Sequence, residues 1–122
     1  MSTPRLVLDK EQLEKNICAM QAAADLAQVK LRPHIKAHKC GQIMHRQLAA
    51  GAIGITVAKL GEATAMADCG ATDIFIAYPL IGQDKLTRLA NLAKRVKVSV
   101  AVDDYFAARH MAEHFDPARP LD

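Results

Sequence analysis

Four segments rich in aliphatic and β-branched residues recur at a nearly constant interval along the chain. With Leu31, Ile53, Ile74 and Val96 taken as equivalent positions, the steps are 22, 21 and 22 residues. This interval accommodates one strand, one helix and two short connections, whereas the fixed Leu and Asn positions of leucine-rich repeats are absent. Repeated βα units predict an α/β fold with parallel strands, right-handed crossovers and covering helices. A doubly wound sheet and a (β/α)8 barrel both satisfy that description.

Local signals place the elements within these units. Asp9 can cap a first helix, with Gln12 three residues later as in a capping box. Gly51 and Gly70 mark the ends of two further helices, and Asp103 or Asp104 can cap the last one. Strands are predicted at 5–8, 31–36, 53–57, 73–78 and 97–102, and helices near 10–27, 43–51, 61–69, 86–96 and 105–115.

The first and last helices each show an apolar face with helical spacing. In the first helix this face comprises Leu13, Ile17, Met20 and Ala24. In the last helix it comprises Tyr105, Ala108, Ala112 and Phe115. The residues expected to end that helix are Asp116, Pro117 and Pro120.

The faces of the predicted strands favour the barrel. From 31 to 38 the odd positions are apolar and the even ones are Arg32, His34, Lys36 and His38; from 96 to 102 the even positions are all Val. A strand of an open parallel sheet is apolar on both faces. One apolar face fits a barrel strand whose apolar side meets the helices and whose polar side lines an active-site lumen.

The length then allows only part of such a barrel. Eight βα units typically take ~250 residues, and this chain of 122 residues holds four. We therefore expect residues 1–122 to form a single partial domain, about half of a parallel (β/α)8 TIM-type barrel, preceded by a short strand and a helix. Because a half barrel exposes strand edges, the chain is expected to be a piece of a longer protein or a homo-oligomer that pairs through those edges.

Composition excludes several classes of function. Sixteen Lys and Arg against 13 Asp and Glu give only +3, and aromatics are 4% of the residues with no Trp. A nucleic-acid-binding surface is therefore disfavoured. The sequence has no secretory signal, no apolar run of membrane-spanning length, and three Cys without a CxxC pair. We expect reduced thiols, a cytoplasmic location and no membrane partner.

The densest chemical signal is the segment from Arg32 to Cys40. Lys36 falls at the end of the first predicted βα strand, on its polar face, where barrel enzymes place reacting groups. A lysine is a nucleophile only when neutral, and cationic neighbours such as Arg32, His34 and His38 favour the neutral amine. Lys36 is therefore a candidate for imine formation with an aldehyde cofactor or a carbonyl substrate. The alternative is a solvated basic strand end.

Other interpretations of this region stay open. His34, His38, Cys40 and His45 could ligate zinc, although their spacing matches no usual zinc pattern. A phosphate- or RNA-binding basic patch and a nucleophilic Cys40 are further alternatives, the latter against an inert buried thiol. Lys59 is a second candidate amine, but by strand parity it lies away from the lumen.

Three motifs and the opening residues together resemble one enzyme family. They are Arg32-Pro-His-Ile-Lys-Ala-His-Lys39, Val57-Ala-Lys-Leu-Gly-Glu-Ala63, Asp73-Ile-Phe-Ile-Ala-Tyr-Pro-Leu-Ile-Gly82 and Thr3-Pro-Arg-Leu-Val-Leu-Asp9. In this order they resemble the D-threonine aldolase and D-serine dehydratase group, which shares the alanine racemase-like fold of pyridoxal-phosphate enzymes. The likeness covers essentially the whole chain.

The resemblance implies a specific chemistry. Lys36 would be the lysine that forms the Schiff base with pyridoxal 5'-phosphate (PLP), in a lyase acting on D-configured 3-hydroxy amino acids. It also implies a divalent metal held by a C-terminal β domain, and a phosphate site in later barrel strands; neither set of ligands lies in this chain. The chain alone is then expected to be inactive. The alternative is a non-catalytic half-barrel module that binds PLP or dimerises.

Overall fold

The computed structural model describes residues 3–115 and residue 121. Strands β1 (Ile55–Val57), β2 (Asp73–Ile76) and β3 (Lys97–Val100) form a parallel sheet in the order β1-β2-β3. The helices are α1 (Lys10–Leu26), α2 (Gly41–Ala49), α3 (Leu60–Asp68), α4 (Gln83–Ala93) and α5 (Tyr105–Ala112). The predicted α/β fold of alternating helices and parallel strands is thus confirmed. None of the described helices combines the length and apolar character needed to cross a membrane.

The core lies on one face of the sheet. Ile55 pairs with Ile74, which pairs with Val98, and all three side chains are buried. They belong to a cluster with buried residues of α2, α3 and α4: Met44, Leu60, Ala63, Met66, Leu86, Leu89 and Leu92. The row in between, Thr56, Phe75 and Ser99, points to the opposite face, because side chains alternate along a strand. The predicted contact of one apolar strand face with the helices is therefore confirmed.

The helix ends follow the predicted signals in most places. The Asp9 side chain accepts a hydrogen bond from the Gln12 N–H at 3.0 Å and caps α1. The Gln12 side-chain amide donates to Asn16 Oδ1 at 2.8 Å, so the described hydrogen bonds complete only the Asp9 half of a capping box. Asp104, and not Asp103, caps α5 by accepting from the Ala107 N–H at 2.9 Å.

Two predicted strands are absent from the described structure. Residues 5–8 have no strand assignment, and Leu6 and Val7 are exposed. The stretch at 31–36 is reduced to one parallel bridge between His34 and Thr56, followed by a 3-10 turn at Ile35–Ala37. Pro33 has no N–H to donate to a ladder, and its carbonyl accepts from the Thr56 N–H at 2.7 Å. Residues 31–36 therefore pair with β1 at one position, but this pairing is too irregular to form a strand.

The predicted apolar faces of α1 and α5 are only partly correct. On α1, Ile17 and Ala24 are buried, whereas Met20 is 59% exposed. On α5 the buried residue is Met111, and Tyr105 is 71% exposed. Helical spacing allows neighbouring stripes, and contact with the core selects one of them. The residues predicted to end α5, numbered 116, 117 and 120, lie outside the described part of the chain.

An ion pair crosses the amino-terminal side of the sheet. Arg32 contacts Asp73, the first residue of β2, with 2.7 Å between Nη1 and Oδ1. Gly54 lies between them, and a Cβ there would stand 2.3 Å from Arg32 Nη1 and 2.6 Å from the Asp73 carbonyl oxygen. Glycine at position 54 therefore permits the segment at 31–34 to be tied to β2 across β1.

Candidate functional site

Lys36 lies on the 3-10 turn that follows the His34–Thr56 bridge. Because the strands are parallel, a residue two positions beyond this bridge lies at the carboxyl-terminal side of the sheet, where Val57 ends β1. The Lys36 side chain is exposed, and within the described residues no acidic group pairs with its amine. The structure thus presents a primary amine at the strand ends, as the sequence predicts. The parity argument for its direction no longer applies, since Lys36 is not in a strand.

The turn is closed by side-chain and backbone hydrogen bonds. His34 Nδ1 accepts from the Lys36 N–H at 3.2 Å and caps the 3-10 turn. The His38 and Lys39 N–H groups both donate to the Ile35 carbonyl, at 3.1 and 2.8 Å. Ile35 itself is fully buried in the core. The amine of Lys36 is therefore carried by a short, well-anchored turn and not by a free loop.

The cationic neighbourhood predicted for Lys36 is not assembled as expected. Arg32 is neutralised by Asp73 at the opposite side of the sheet. His38 is half-buried, its Nδ1 accepts from the Cys40 N–H at 3.1 Å, and burial lowers the pKa of its imidazole below 6.5. His34 contacts Lys36 only through the backbone. Because Lys36 lies on a 3-10 turn, the predicted alignment of Arg32, His34, Lys36 and His38 along one strand face is not formed, and the effect of these neighbours on the amine stays a prediction.

A buried carboxylate that the sequence reasoning did not single out joins two βα connections. Glu62, on the first turn of α3, accepts from the Ala58 N–H through Oε2 at 2.9 Å, and its Oε1 lies 3.1 Å from Lys39 Nζ. Its side chain is 11% exposed. Burial raises the pKa of Glu62, but the Ala58 hydrogen bond and the Lys39 cation outweigh it, and the net pKa is lowered. Its position at the start of an uncapped helix was the available sequence signal.

The other candidate residues are dispersed. No group of three His, Cys, Asp or Glu residues that could hold a metal ion occurs within 3–115 and 121. Cys40 is a half-buried thiol at the N-terminus of α2. Lys59 precedes α3 and is exposed beside a cleft of about 490 Å³ that Tyr78, Lys85 and Arg88 also line. These residues are not brought together with Lys36 into one described cluster.

The fold agrees with the family comparison. The sequence-family model of the alanine racemase N-terminal domain matches residues 8–120 of the chain. The chain therefore belongs to the alanine racemase N-terminal domain family, and the resemblance predicted from the motifs is confirmed.

Among curated proteins, the chain is 49% identical over 104 residues to the D-threonine aldolase of an Arthrobacter species, covering 85% of this chain and 27% of that protein. It is 36% identical over 113 residues to D-threo-3-hydroxyaspartate dehydratase of Delftia sp. strain HT23, covering 92% of this chain and 30% of the relative. The chain thus spans about three tenths of the length of these relatives. Both relatives are named as lyases.

Solved structures give the same result. The D-threonine aldolase of Filomicrobium marinum is 42% identical with a TM-score of 0.90, over 93% of this chain and 31% of the other. The Delftia dehydratase structure is 36% identical with a TM-score of 0.86, over 93% of this chain and 30% of the other.

Proposed function

We propose that this chain is the N-terminal part of a PLP-dependent lyase that acts on D-3-hydroxy amino acids, with Lys36 as the residue that binds PLP through its Nζ. The observation that carries the proposal is the position of Lys36, an exposed amine on an anchored turn at the carboxyl ends of parallel strands. This is the side of a βα fold where reacting groups are built. The named aldolase and dehydratase relatives support the substrate class.

The residues present fit the cofactor. PLP is an aldehyde, and the group it requires is a primary amine that is not held in an ion pair; Lys36 meets this requirement within the described residues. When bound, PLP withdraws electrons from the substrate Cα and so permits cleavage of the Cα–Cβ bond or loss of a β-hydroxyl group. The chain supplies the amine, the buried Ile35 that anchors the turn, and the His34 cap that fixes the Lys36 backbone.

The proposal assigns no metal ligand to this chain. In the described segments, no cluster of ligating side chains has the required composition, and the Nδ1 atoms of His34 and His38 each accept a backbone N–H. Any divalent ion that assists the reaction would be held elsewhere in the protein. We accordingly propose that the 122-residue chain alone releases no aldehyde from D-threonine.

Reductive labelling tests the assignment of Lys36. The chain is incubated with PLP, the C=N bond formed with loss of water is reduced by borohydride to a stable secondary amine, and the labelled peptides are mapped by mass spectrometry. We expect the label to concentrate on Lys36. In the Lys36→Ala variant the total label should fall to the amount carried by the other surface lysines. Lys59→Ala serves as the matched control and should leave the label on Lys36. A label spread evenly over the lysines, and unchanged by Lys36→Ala, would contradict the proposal.

A further inference from the structure

We infer that Glu62 is a positioning residue for Lys36, acting through its ion pair with Lys39 at the other end of the same turn. The inference deepens the proposed function and rests on it. Glu62 does not need to touch the cofactor for this role. It fixes the backbone that carries the amine, across the gap between the first and second βα connections.

The turn that carries Lys36 is anchored on both sides of this residue. Lys36 stands between two fixed points: Ile35, which is fully buried, and Lys39, whose Nζ lies 3.1 Å from Glu62 Oε1. The Lys39 N–H donates to the Ile35 carbonyl at 2.8 Å and closes the turn. Removal of the ion pair would leave the Lys39 end held by backbone hydrogen bonds and by the contact of His38 with the Cys40 N–H.

The backbone of Lys39 adopts an uncommon conformation. Its φ is 47°, in the left-handed region that residues other than glycine rarely adopt. Such a conformation costs free energy and is kept only where the surrounding contacts enforce it. The contact made by its own side chain is the ion pair with Glu62. Lys39 therefore carries both the ion pair and the left-handed backbone conformation that ends the turn.

Glu62 makes a contact beyond the one expected at the start of a helix. Glu62 Oε2 accepts the Ala58 N–H, which by itself would serve the start of α3. The second oxygen, Oε1, reaches Lys39 on a different connection. The Glu62 side chain is 11% exposed and the Lys39 side chain is 57% exposed, so the ion pair is open to water mainly on the lysine side. Glu62→Gln keeps an oxygen for Ala58 and removes the charge, so it isolates the second contact.

The test measures the selectivity of PLP labelling in the chain. After borohydride reduction, the readout is the ratio of label on Lys36 to label on Lys10, an exposed amine at the start of α1. We expect Glu62→Gln and Lys39→Met each to lower this ratio about two- to fivefold, the range of one partly exposed ion pair. The double variant should lower it no further, because both changes remove the same interaction. Lys39→Arg should restore the ratio.

The control uses the other end of the same helix. Asp68, at the end of α3, pairs with Arg95 at 2.5 Å, and both side chains are about half exposed. Asp68→Asn removes a comparable ion pair away from the turn, so the labelling ratio should not change. Equal thermal midpoints for Asp68→Asn and Glu62→Gln would show that the ratio does not simply follow stability.

Three outcomes overturn the inference, and they are distinguishable. If the unsubstituted chain labels Lys36 no faster than Lys10, the proposed function fails and the inference fails with it. If the unsubstituted chain prefers Lys36 but Glu62→Gln and Lys39→Met keep that preference, the proposed function stands and the positioning role of Glu62 is rejected. An effect of Glu62→Gln without an effect of Lys39→Met also rejects it, because capping of α3 then suffices.

Discussion

The first βα unit and the two that follow it are built in different ways. In the second and third units the chain forms strands whose residues, Ile55, Ile74 and Ile76, are fully buried under helices. In the first unit the chain makes one bridge at His34 and then leaves the sheet in a 3-10 turn held by polar contacts. Hydrophobic burial therefore dominates the later units, whereas hydrogen bonds and ion pairs shape the turn that presents Lys36 around the buried Ile35.

The comparison predicts the largest loss of stability in the sheet centre. Ile74→Ala removes a fully buried side chain that is flanked by Ile55 and Val98, and the free energy of unfolding should fall by about 2–5 kcal/mol. Chemical denaturation followed by circular dichroism measures it. Ile81→Ala, at a residue 67% exposed, is the matched control and should change the value by about 0.5 kcal/mol or less. Equal losses for both would contradict the assignment of the core to the later units.

A smaller loss is expected where the first unit is tied to β2. Gly54→Ala places a Cβ against Arg32 and, at 2.6 Å, against the Asp73 carbonyl oxygen, so the backbone of β2 has to move. We expect a loss of about 1–3 kcal/mol by denaturation. Gly61→Ala, where a Cβ meets nothing within 4 Å on the first turn of α3, should retain or slightly raise stability. A harmless Gly54→Ala would show that the Arg32–Asp73 pair is not constrained by this glycine.

The smallest effect is a pH dependence confined to the first unit. Burial lowers the pKa of His38 below its ordinary value of 6.5, so the unfolded chain binds the proton more readily than the folded one. The stability contributed by neutral His38 is complete above 6.5 and is lost as the pH falls toward the lower folded-state pKa. The denaturation midpoint should fall less between pH 7.5 and 5 in His38→Asn, which keeps an acceptor for Cys40 but does not titrate. His45→Gln, at an exposed position, should retain the full decrease.

The sequence predicts most of the later units because their signals are local. Asp104 caps α5, Gly70 follows α3 with a φ of 96°, and β-branched runs become β2 and β3. The first unit is harder to predict because alternating apolar and polar residues also fit an extended chain that ends in a turn. Pro33 signals the irregularity, but the ion pair at the end of the turn joins Lys39 to Glu62, 23 residues further on, and no spacing rule specifies such a contact.

The candidate site divides along the same line. Lys36 is predicted from the sequence because a primary amine in this motif suits imine formation, and its chemical role stays a prediction. The contacts of its neighbours are not predicted from the sequence. Arg32 pairs with Asp73, and His38 accepts the Cys40 N–H, and both contacts form only on folding. The predicted cationic cluster therefore fails while the lysine itself keeps its predicted place at the strand ends.

The close approach at position 54 has an evolutionary consequence. Both the Arg32 guanidinium and the Asp73 carbonyl oxygen occupy the space that a methyl group at 54 would need, so a shorter residue at 32 relieves only one of the two clashes. Relatives are then expected to keep glycine at 54 even where the residues at 32 and 73 are exchanged together, since backbone crowding constrains the first position and charge pairing the other two.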